Sequence, residues 1–365
     1  MILRKSHIIC ILLAEALLSA GCRKAPMPST STMPVFFAAP EVAAQTKALH
    51  TDMGVTYDTR ESFVTYAAYS PSDFNPSAPG SYSDFWVGGL PCSYNSTYHA
   101  WAPSDDYFWP MFGHLSFQAY SPADATPVPS FSWQNGFTFT SFTVPDAGAQ
   151  YDLMYTDLVA DCQRSDYTIN DGDAYDDDHD FDYTYNGVNL QFHHSLSLIE
   201  VQASSGLGSS SPVKYYVQKV VLKNAHYKGT FTSSNGVWDV VTGTMTDYTI
   251  LDLSGETDPD DQWKLLPGAD EYPVSINSDL TLMLLPQTLN RTSTPDFDDN
   301  TDAYLEITYK SSTNPSPEPV RLPLTDIWEK GKKYTYSLVF SDYIEFTARI
   351  TKWNEKITGY HVIVQ

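Results

Sequence analysis

The sequence has few basic residues, and this shortage excludes several classes of partner. Its 365 residues contain 21 lysines and arginines against 44 aspartates and glutamates, which gives a formal net charge of −23 at pH 7. No basic stripe is therefore available to neutralise the phosphates of a nucleic acid. The same acidity argues against electrostatic attraction to anionic lipid surfaces.

Catalytic motifs and long hydrophobic runs are also lacking. The chain contains no G-x-S-x-G, H-E-x-x-H, P-loop or C-x-x-C pattern. Beyond the N-terminal run, no apolar segment reaches the roughly 20 residues that a transmembrane helix needs. We predict a protein that is not an enzyme and that carries no cofactor and no metal site, and we keep a secreted hydrolase as an alternative.

His193, His194 and Ser195 are adjacent in sequence, but adjacency does not provide the geometry of a catalytic triad. Successive side chains of a strand face opposite sides. We therefore expect one histidine to point inward and the other outward, in a strand that ends at a turn.

Cysteine is scarce, with 4 in the whole chain. Cys10 lies in the N-terminal apolar run, and Cys22 follows that run. Cys92 and Cys162 remain for the folded body, and an oxidising compartment would allow them to pair. Their spacing neither requires nor forbids a disulfide, so the sequence leaves their pairing open.

The first residues have the pattern of an export signal that ends in a lipid-modified cysteine. Two basic residues precede the apolar run Ile8–Leu18, and Ser19-Ala20-Gly21-Cys22 follows. The run is too short to cross a bilayer, and small residues before a cysteine suit a lipoprotein signal peptidase. We predict a signal peptide over residues 1–21, lipidation at Cys22, and a lipid-anchored, surface-exposed location at the cell outer membrane. An ordinary secretory signal is the alternative.

Residue types that favour β-strands are abundant. Aromatic residues make up 14% of the chain, with 25 tyrosines, and Tyr, Phe, Thr and Val favour half-buried strands. Residues 22–34 are instead rich in Pro, Ser and Thr, which predicts a flexible tether. Short strand-like segments recur between turn residues in the rest of the chain, and this predicts an all-β protein of sandwich or barrel type. The predicted strands are Val35–Ala39, Ser62–Tyr69, His114–Tyr120, Phe137–Val144, Val188–His193, Ile199–Gln202, Tyr215–Leu222, Trp238–Val241, Leu280–Leu285, Tyr304–Tyr309, Lys333–Phe340, Tyr343–Trp353 and His361–Val364.

The segment Asp166–Asn186 interrupts this pattern with clustered aspartates. We interpret it as a long solvated loop near a domain junction. Clustered carboxylates could also bind calcium. The EF-hand spacing fails, however, because Gly172 at the sixth position places Tyr167 and Ile169 where oxygen ligands are required.

Aromatic residues are concentrated at Trp101, Tyr107, Phe108 and Trp109. Exposed rings of this kind could stack on sugars, so a surface glycan-binding lipoprotein is the alternative function. The competing interpretation is that these side chains pack in the core of a sandwich.

Several segments resemble the fimbrillin family of Gram-negative lipoproteins, in its minor-fimbrillin-like branch. Each motif is weak alone, whereas their order along the chain is specific. The matching segments are Gln45-Thr46-Lys47-Ala48, Ser62–Ala67, Tyr107–Pro110 followed by Leu115–Pro122, Tyr151–Tyr155, Val188–Ser197, Leu284–Gln287 and Trp328–Tyr336.

The resemblance implies two β-sandwich domains of transthyretin-like topology, which we place at residues 35–185 and 186–365. It also implies a fimbrial (pilus) subunit or accessory that polymerises with other fimbrial subunits on the cell surface and supports adhesion. A receptor on a host or bacterial surface is left open.

The resemblance further implies that a trypsin-like protease removes an N-terminal segment and so opens a groove for a strand of another subunit. Lys47 is the candidate cleavage site, and Val35–Ala39 would be the strand withdrawn. Arg60 is a second candidate, because the family often has arginine at the cleaved position.

The C-terminus provides a candidate donor strand. Tyr360, Val362 and Val364 alternate with other residues, so in an extended chain they would face one side and could fill successive pockets. The alternative is that they complete the sheet of the second domain.

Overall fold

The computed structural model describes residues 29–42, 57–58, 60–167, 169–171, 183–185, 187–277, 282–289, 298–316, 318–341 and 344–353. Within these ranges the chain consists of β-strands and two short 3-10 turns, Ala147–Ala149 and Arg164–Asp166. The predicted all-β class is confirmed, and the transthyretin-like strand order stays a prediction. Nowhere in the described ranges does a helix reach the length and apolarity needed to cross a membrane.

The strands of the first part of the chain are β1 (Thr30–Pro34), β2 (Glu41–Val42), β3 (Ser62–Ser70), β4 (Ser83–Asp84), β5 (Leu90–Asn95), β6 (Ala100–Pro103), β7 (Phe108–Pro110), β8 (His114–Ser121), β9 (Ser130–Ser132), β10 (Gly136–Thr143), β11 (Met154–Thr156), β12 (Val159–Cys162), β13 (Ile169–Asp171), β14 (Tyr183–Tyr185) and β15 (Gln191–His194).

The remaining strands are β16 (Ser197–Ser205), β17 (Tyr215–His226), β18 (Lys228–Thr232), β19 (Val237–Val240), β20 (Met245–Asp252), β21 (Lys264–Leu265), β22 (Val274–Ser275), β23 (Leu282–Leu284), β24 (Tyr304–Ser311), β25 (Glu318–Pro323), β26 (Lys332–Phe340) and β27 (Ile344–Lys352).

The first sheet has the order β2-β15-β11-β8-β3-β5-β6, with β12 beside β8 and β4 beside β3. Its central strands are buried on both faces because alternate side chains enter different cores. Phe63 and Phe117 point into the first core, whereas Val64 and Tyr120 belong to the second. This double burial explains why almost every side chain along β3 and β8 is buried, polar ones included.

The second half of the chain forms two further sheets that share one core. Their orders are β22-β16-β26-β27, with β23 on β16, and β20-β17-β24-β25, with β21 on β17. Val201 and Tyr336 of the former sheet and Leu222 and Ile307 of the latter are buried in the same cluster, as in a two-layer sandwich.

A four-stranded sheet, β19-β18-β10-β9, connects the two halves. β10 comes from the first half and pairs antiparallel with β18 of the second. Its Phe137 packs against Tyr120 of the first sheet, with ring centroids 5.2 Å apart.

The change of sheet lies later than the predicted domain boundary between residues 185 and 186. β15 follows that boundary but pairs with β11 of the first sheet, and the second-half sheets begin only with β16. The segment Asp166–Asn186 is therefore a connection within the first sheet, between β12 and β15. Its described ends pair as the hairpin β13–β14, and the calcium hypothesis for its aspartates falls largely outside the described residues.

The predicted tether over residues 22–34 also needs a correction. Its last part is β1, which pairs antiparallel with β7, because Thr30 lies opposite Pro110 and Pro34 opposite Phe108. A composition rich in Pro, Ser and Thr did not reveal this strand, since its stability comes from the partner strand.

Candidate functional site

The N-terminal segment 29–42 lies between β6 at one end of the first sheet and the chain that leads into β15 at the other. On one side the Val35 amide donates to the Tyr107 carbonyl at 2.8 Å. Phe37 exchanges both backbone hydrogen bonds with Trp101, at 2.9 and 3.0 Å. The segment therefore continues the sheet beyond β6 and β7.

The other side of the segment bonds to the chain that leads into β15. The Ala38 amide donates to the Val188 carbonyl at 3.0 Å, and the Val188 amide donates to the Phe36 carbonyl at 2.9 Å. β2 then runs parallel to β15, with Val42 opposite Phe192. Because β6 and β15 stand at opposite ends of the sheet order, the segment bridges two strands that would otherwise be edges.

The side chains of this segment fill part of the first core. Val35, Phe37 and Val42 are 1%, 0% and 4% exposed, and Phe36 is also buried. The Phe37 ring meets Phe63 and Phe117 edge-on, at centroid distances of 5.7 and 5.4 Å.

Gly187 permits the close approach of the segment on the β15 side. A Cβ atom at this position would lie 2.6 Å from the Ala38 nitrogen and 2.7 Å from the Phe37 carbonyl carbon. Only a residue without a side chain fits this approach without displacing backbone.

The predicted strand Val35–Ala39 is thus extended and hydrogen-bonded, but it is assigned only a bridge at Phe37. The regular strands lie on either side of it, at β1 and β2. The reason is that the segment changes partner from β7 to β6 and then to β15, so no single ladder runs through it.

Tyr57 brings the chain back into the same core. Its ring stacks on Phe192 at 5.3 Å, and its hydroxyl lies 2.6 Å from the Ser121 Oγ atom. Burial raises the pKa of Tyr57 well above its ordinary value, so this hydroxyl stays neutral. No sequence pattern marks this role, because Tyr57 is one tyrosine among 25 and belongs to no motif.

Arg60 lies in a tight turn directly before β3. Its amide and its Nε atom both donate to Asp58 Oδ1 at 2.9 Å, and the Glu61 amide donates to the Asp58 carbonyl at 2.9 Å. The guanidinium is exposed, and its hydrogen bond to the carboxylate of Asp58 raises the pKa of Arg60. The side chain is accessible, whereas its backbone is held in a turn between buried Tyr57 and the sheet.

The other predicted site residues, Cys22, Lys47, Tyr360, Val362 and Val364, lie outside the described residues. The last described residue, Trp353, is buried and stacks on His194 with ring centroids 4.2 Å apart and planes 3° from parallel. The described part of the chain therefore ends beside β15, the strand that also pairs with the N-terminal segment.

The two adjacent histidines face opposite sides, as predicted. His194 is buried, and its Nδ1 atom lies 2.7 Å from Asp152 Oδ2. His193 faces outward, with Nε2 3.0 Å from Asp157 Oδ2. The Ser195 hydroxyl donates to the Leu153 carbonyl at 2.6 Å, so it is engaged structurally and not by a histidine.

The aromatic stretch near residue 105 packs inward. Trp101 and Trp109 are 2% and 1% exposed, and Tyr107 lies against Trp86 at 5.0 Å. Phe108 is exposed. The packing interpretation is confirmed for Trp109 and wrong for Phe108. One exposed ring does not form a stacking surface, so these residues give no support to the glycan-binding alternative.

Cys92 and Cys162 are buried free thiols. They lie on different strands, β5 and β12, that flank the central pair β3 and β8. Burial raises the pKa of Cys92 to about 12, which keeps it a protonated core residue.

A protein-family model described as fimbrillin-like matches residues 87–353. The chain belongs to the fimbrillin-like family. This confirms the family resemblance inferred from the sequence motifs. The matched region begins after the segment 29–42.

A solved structure of a fimbrial protein shows the same fold, whereas none of the curated proteins matches the chain. A fimbrial protein from Bacteroides vulgatus ATCC 8482 is 16% identical, with a TM-score of 0.54, and the alignment covers 87% of this chain and 99% of that one. The tip fimbrial protein Mfa3 from Porphyromonas gingivalis, solved with a C-terminal truncation, is 9% identical with a TM-score of 0.41, over 88% and 100% of the two chains.

Proposed function

We propose that this fimbrillin-like protein is a fimbrial subunit or accessory that is exported as a lipoprotein through Cys22 and assembles on the cell surface by strand exchange. The observation that carries this proposal is the segment 29–42, which bridges two sheet edges and fills the core between them. Other fimbrial subunits are the partners, and adhesion is the role that the polymer supports.

The energetics favour exchange over simple loss of the segment. Burying one Val or Phe side chain contributes about 1.5–3 kcal/mol, so the four buried residues contribute about 6–12 kcal/mol. A domain has only about 5–15 kcal/mol of net stability. Removal would also leave unpaired backbone groups on the strands at either side of the segment. An incoming strand would restore both the backbone hydrogen bonds and the burial of apolar side chains.

The turn at Arg60 argues against Arg60 as the processing site, so we propose Lys47. A protease needs an extended stretch of backbone, whereas Arg60 is fixed in the Asp58 turn next to β3. Lys47 lies between the two buried positions Val42 and Tyr57. Cleavage there would release the segment and leave Tyr57 in the core.

The donor strand that we propose is the C-terminal run that contains Tyr360, Val362 and Val364. These side chains would take the places of the buried residues of segment 29–42. The run follows Trp353 and is 12 residues long at positions 354–365, which in extended form reaches about 40 Å.

A single substitution makes the processing step testable with an Arg-specific protease. The mature chain carrying Lys47→Arg is compared with the unsubstituted chain, which offers Arg23 before segment 29–42 and Arg60 after it. Residues 354–365 contain no arginine, so the donor run survives the digestion. We expect Lys47→Arg to lose its N-terminal segment and to form fibres by electron microscopy, while the unsubstituted chain stays intact at Arg60 and monomeric.

Mass spectrometry of the digest identifies the bond cut. Cleavage after position 47 that yields only soluble monomers would contradict strand exchange. Efficient cleavage after Arg60 in the unsubstituted chain would contradict the choice of Lys47.

A further inference from the structure

Three ionisable residues from distant parts of the chain meet at one corner of the first sheet. Asp73 lies in the turn after β3, His114 begins β8, and Asp161 belongs to β12. One ligand atom from each, two carboxylate oxygens and a ring nitrogen, lie within 4.8 Å of one another. Among the described residues this is the only such group of three or more His, Cys, Asp or Glu side chains.

The ring nitrogen that faces this corner lacks a hydrogen-bond partner. His114 Nδ1 is buried and unpaired, and its nearest carboxylate oxygen, Asp161 Oδ1, is 3.6 Å away. That distance is too long for a hydrogen bond. A buried unpaired nitrogen is costly, and a bound cation would satisfy it.

The other ring nitrogen is held by a neighbour. His114 Nε2 lies 2.6 Å from the carboxamide nitrogen of Gln163. A half-turn of this carboxamide exchanges its nitrogen with its oxygen, and the two orientations have nearly the same shape. With the oxygen toward the ring, Nε2 keeps its proton and Nδ1 presents its lone pair to the corner. This is the usual way in which a second residue orients a metal-binding histidine.

Asp161 is aimed at the corner by the backbone around it. The ladder between β12 and β8 shifts register between Val159 and Cys162, and Asp161 has a φ of 59°. Its Oδ1 accepts a 2.6 Å hydrogen bond from the Phe74 amide. That contact places the Asp73–Phe74 turn against β12 and leaves further lone pairs of the carboxylate available.

We propose that Asp73, His114 and Asp161 bind a divalent transition-metal ion of the zinc type. One imidazole and two carboxylates match the ligands that Zn²⁺ takes, whereas Ca²⁺ prefers an all-oxygen set. Ligands at about 2.0–2.2 Å from a tetrahedral ion lie about 3.4 Å apart, close to the 3.6 Å separation of His114 and Asp161. The exposed Asp73 side chain offers a carboxylate oxygen within 4.8 Å of the other two ligand atoms and would move closer to the ion to complete the set.

The ion would tie the turn after β3 to β8 and β12, and thus stabilise the sheet that holds segment 29–42. This inference is independent of the proposed assembly mechanism. The ion would stiffen one corner of the domain and would take no part in the strand exchange.

Zinc titration of the full mature chain by calorimetry tests the site, with Ca²⁺ as the comparison ion. We expect one Zn²⁺ per chain, a melting temperature that rises by a few degrees, and binding weakened about tenfold or more by Asp73→Asn or His114→Gln. The matched control is His193→Gln, because His193 and Asp157 form a His–Asp pair at 3.0 Å that belongs to no group of three ligands among the described residues.

X-ray absorption at the zinc edge gives a second readout that does not depend on variant stability. One imidazole with oxygen ligands in the unsubstituted chain supports the site. Absence of stoichiometric zinc binding, equal loss of binding in His193→Gln, or a spectrum with sulfur ligands would overturn it.

Discussion

At Gly187, a single added side-chain atom would interfere with the docking of segment 29–42. We predict that Gly187→Ala weakens docking by about 1–3 kcal/mol, because its Cβ would overlap the Phe37–Ala38 backbone. The segment should leave its slot more often, so Lys-specific proteolysis near position 47 should become faster. The rate of appearance of the cut chain measures this.

Gly255→Ala is the matched control, because a Cβ at Gly255 would meet no atom within 4 Å. Both variants change one glycine to alanine, so they reduce the freedom of the unfolded chain similarly. Equal proteolysis rates in the two variants would show that the contact at Gly187 does not hold the segment.

Single residues show where a local pattern determines structure and where it does not. The opposite orientations of His193 and His194 follow from strand geometry alone and were predictable. The hydrogen bond between the Tyr57 and Ser121 hydroxyls joins residues 64 positions apart, and the Asp73–His114–Asp161 group joins three segments. No spacing rule predicts these contacts, because they depend on the order of the strands in the sheet, which the local sequence does not determine.

At the scale of elements, most predicted strands occur close to their predicted bounds. β8, β16, β24 and β26 are examples, since alternation or continuous apolar runs mark them clearly. β25 was not predicted because its prolines, Pro319 and Pro323, argue against a central strand. The structure resolves the conflict by pairing β25 only with β24, at an edge of the sheet.

The C-terminal donor run allows a prediction that depends only on the alternation of side chains between the two faces of an extended strand. In the Lys47→Arg background, Val362→Asp should abolish fibre formation after Arg-specific cleavage, because a charge would enter an apolar pocket of the groove. Ile363→Asp should be tolerated, because position 363 would face the other way. Electron microscopy of the cleaved chains gives the fibre yield.

Folding of both variants is checked by circular dichroism before cleavage. Equal loss of fibres in the two variants would contradict a register with Tyr360, Val362 and Val364 inward. Normal assembly of Val362→Asp would mean that another strand is the donor.

At the scale of the whole molecule, composition predicts the all-β class and the order of the motifs predicts the family. The position of the boundary between the two halves is harder to predict from the sequence. The boundary was placed at the acidic segment because charge clusters often mark linkers. The structure instead carries β15 back into the first sheet and shares β10 with β18. Such exchanges between halves depend on long-range pairing, which local composition does not encode.

Cys22 and segment 29–42 lie on the same side of Lys47, so one cut would remove the lipid and open the groove together. We predict that Lys47→Gln keeps the protein lipidated, cell-associated and unassembled, because the segment stays in its slot. Arg60→Gln should process and assemble normally. Mass spectrometry of protein recovered from the cell surface distinguishes chains that begin at Cys22 from those that begin at Ala48. Fibres built mainly from Cys22-lipidated chains would mean that the segment is displaced without cleavage, and the lipid would then be a permanent anchor.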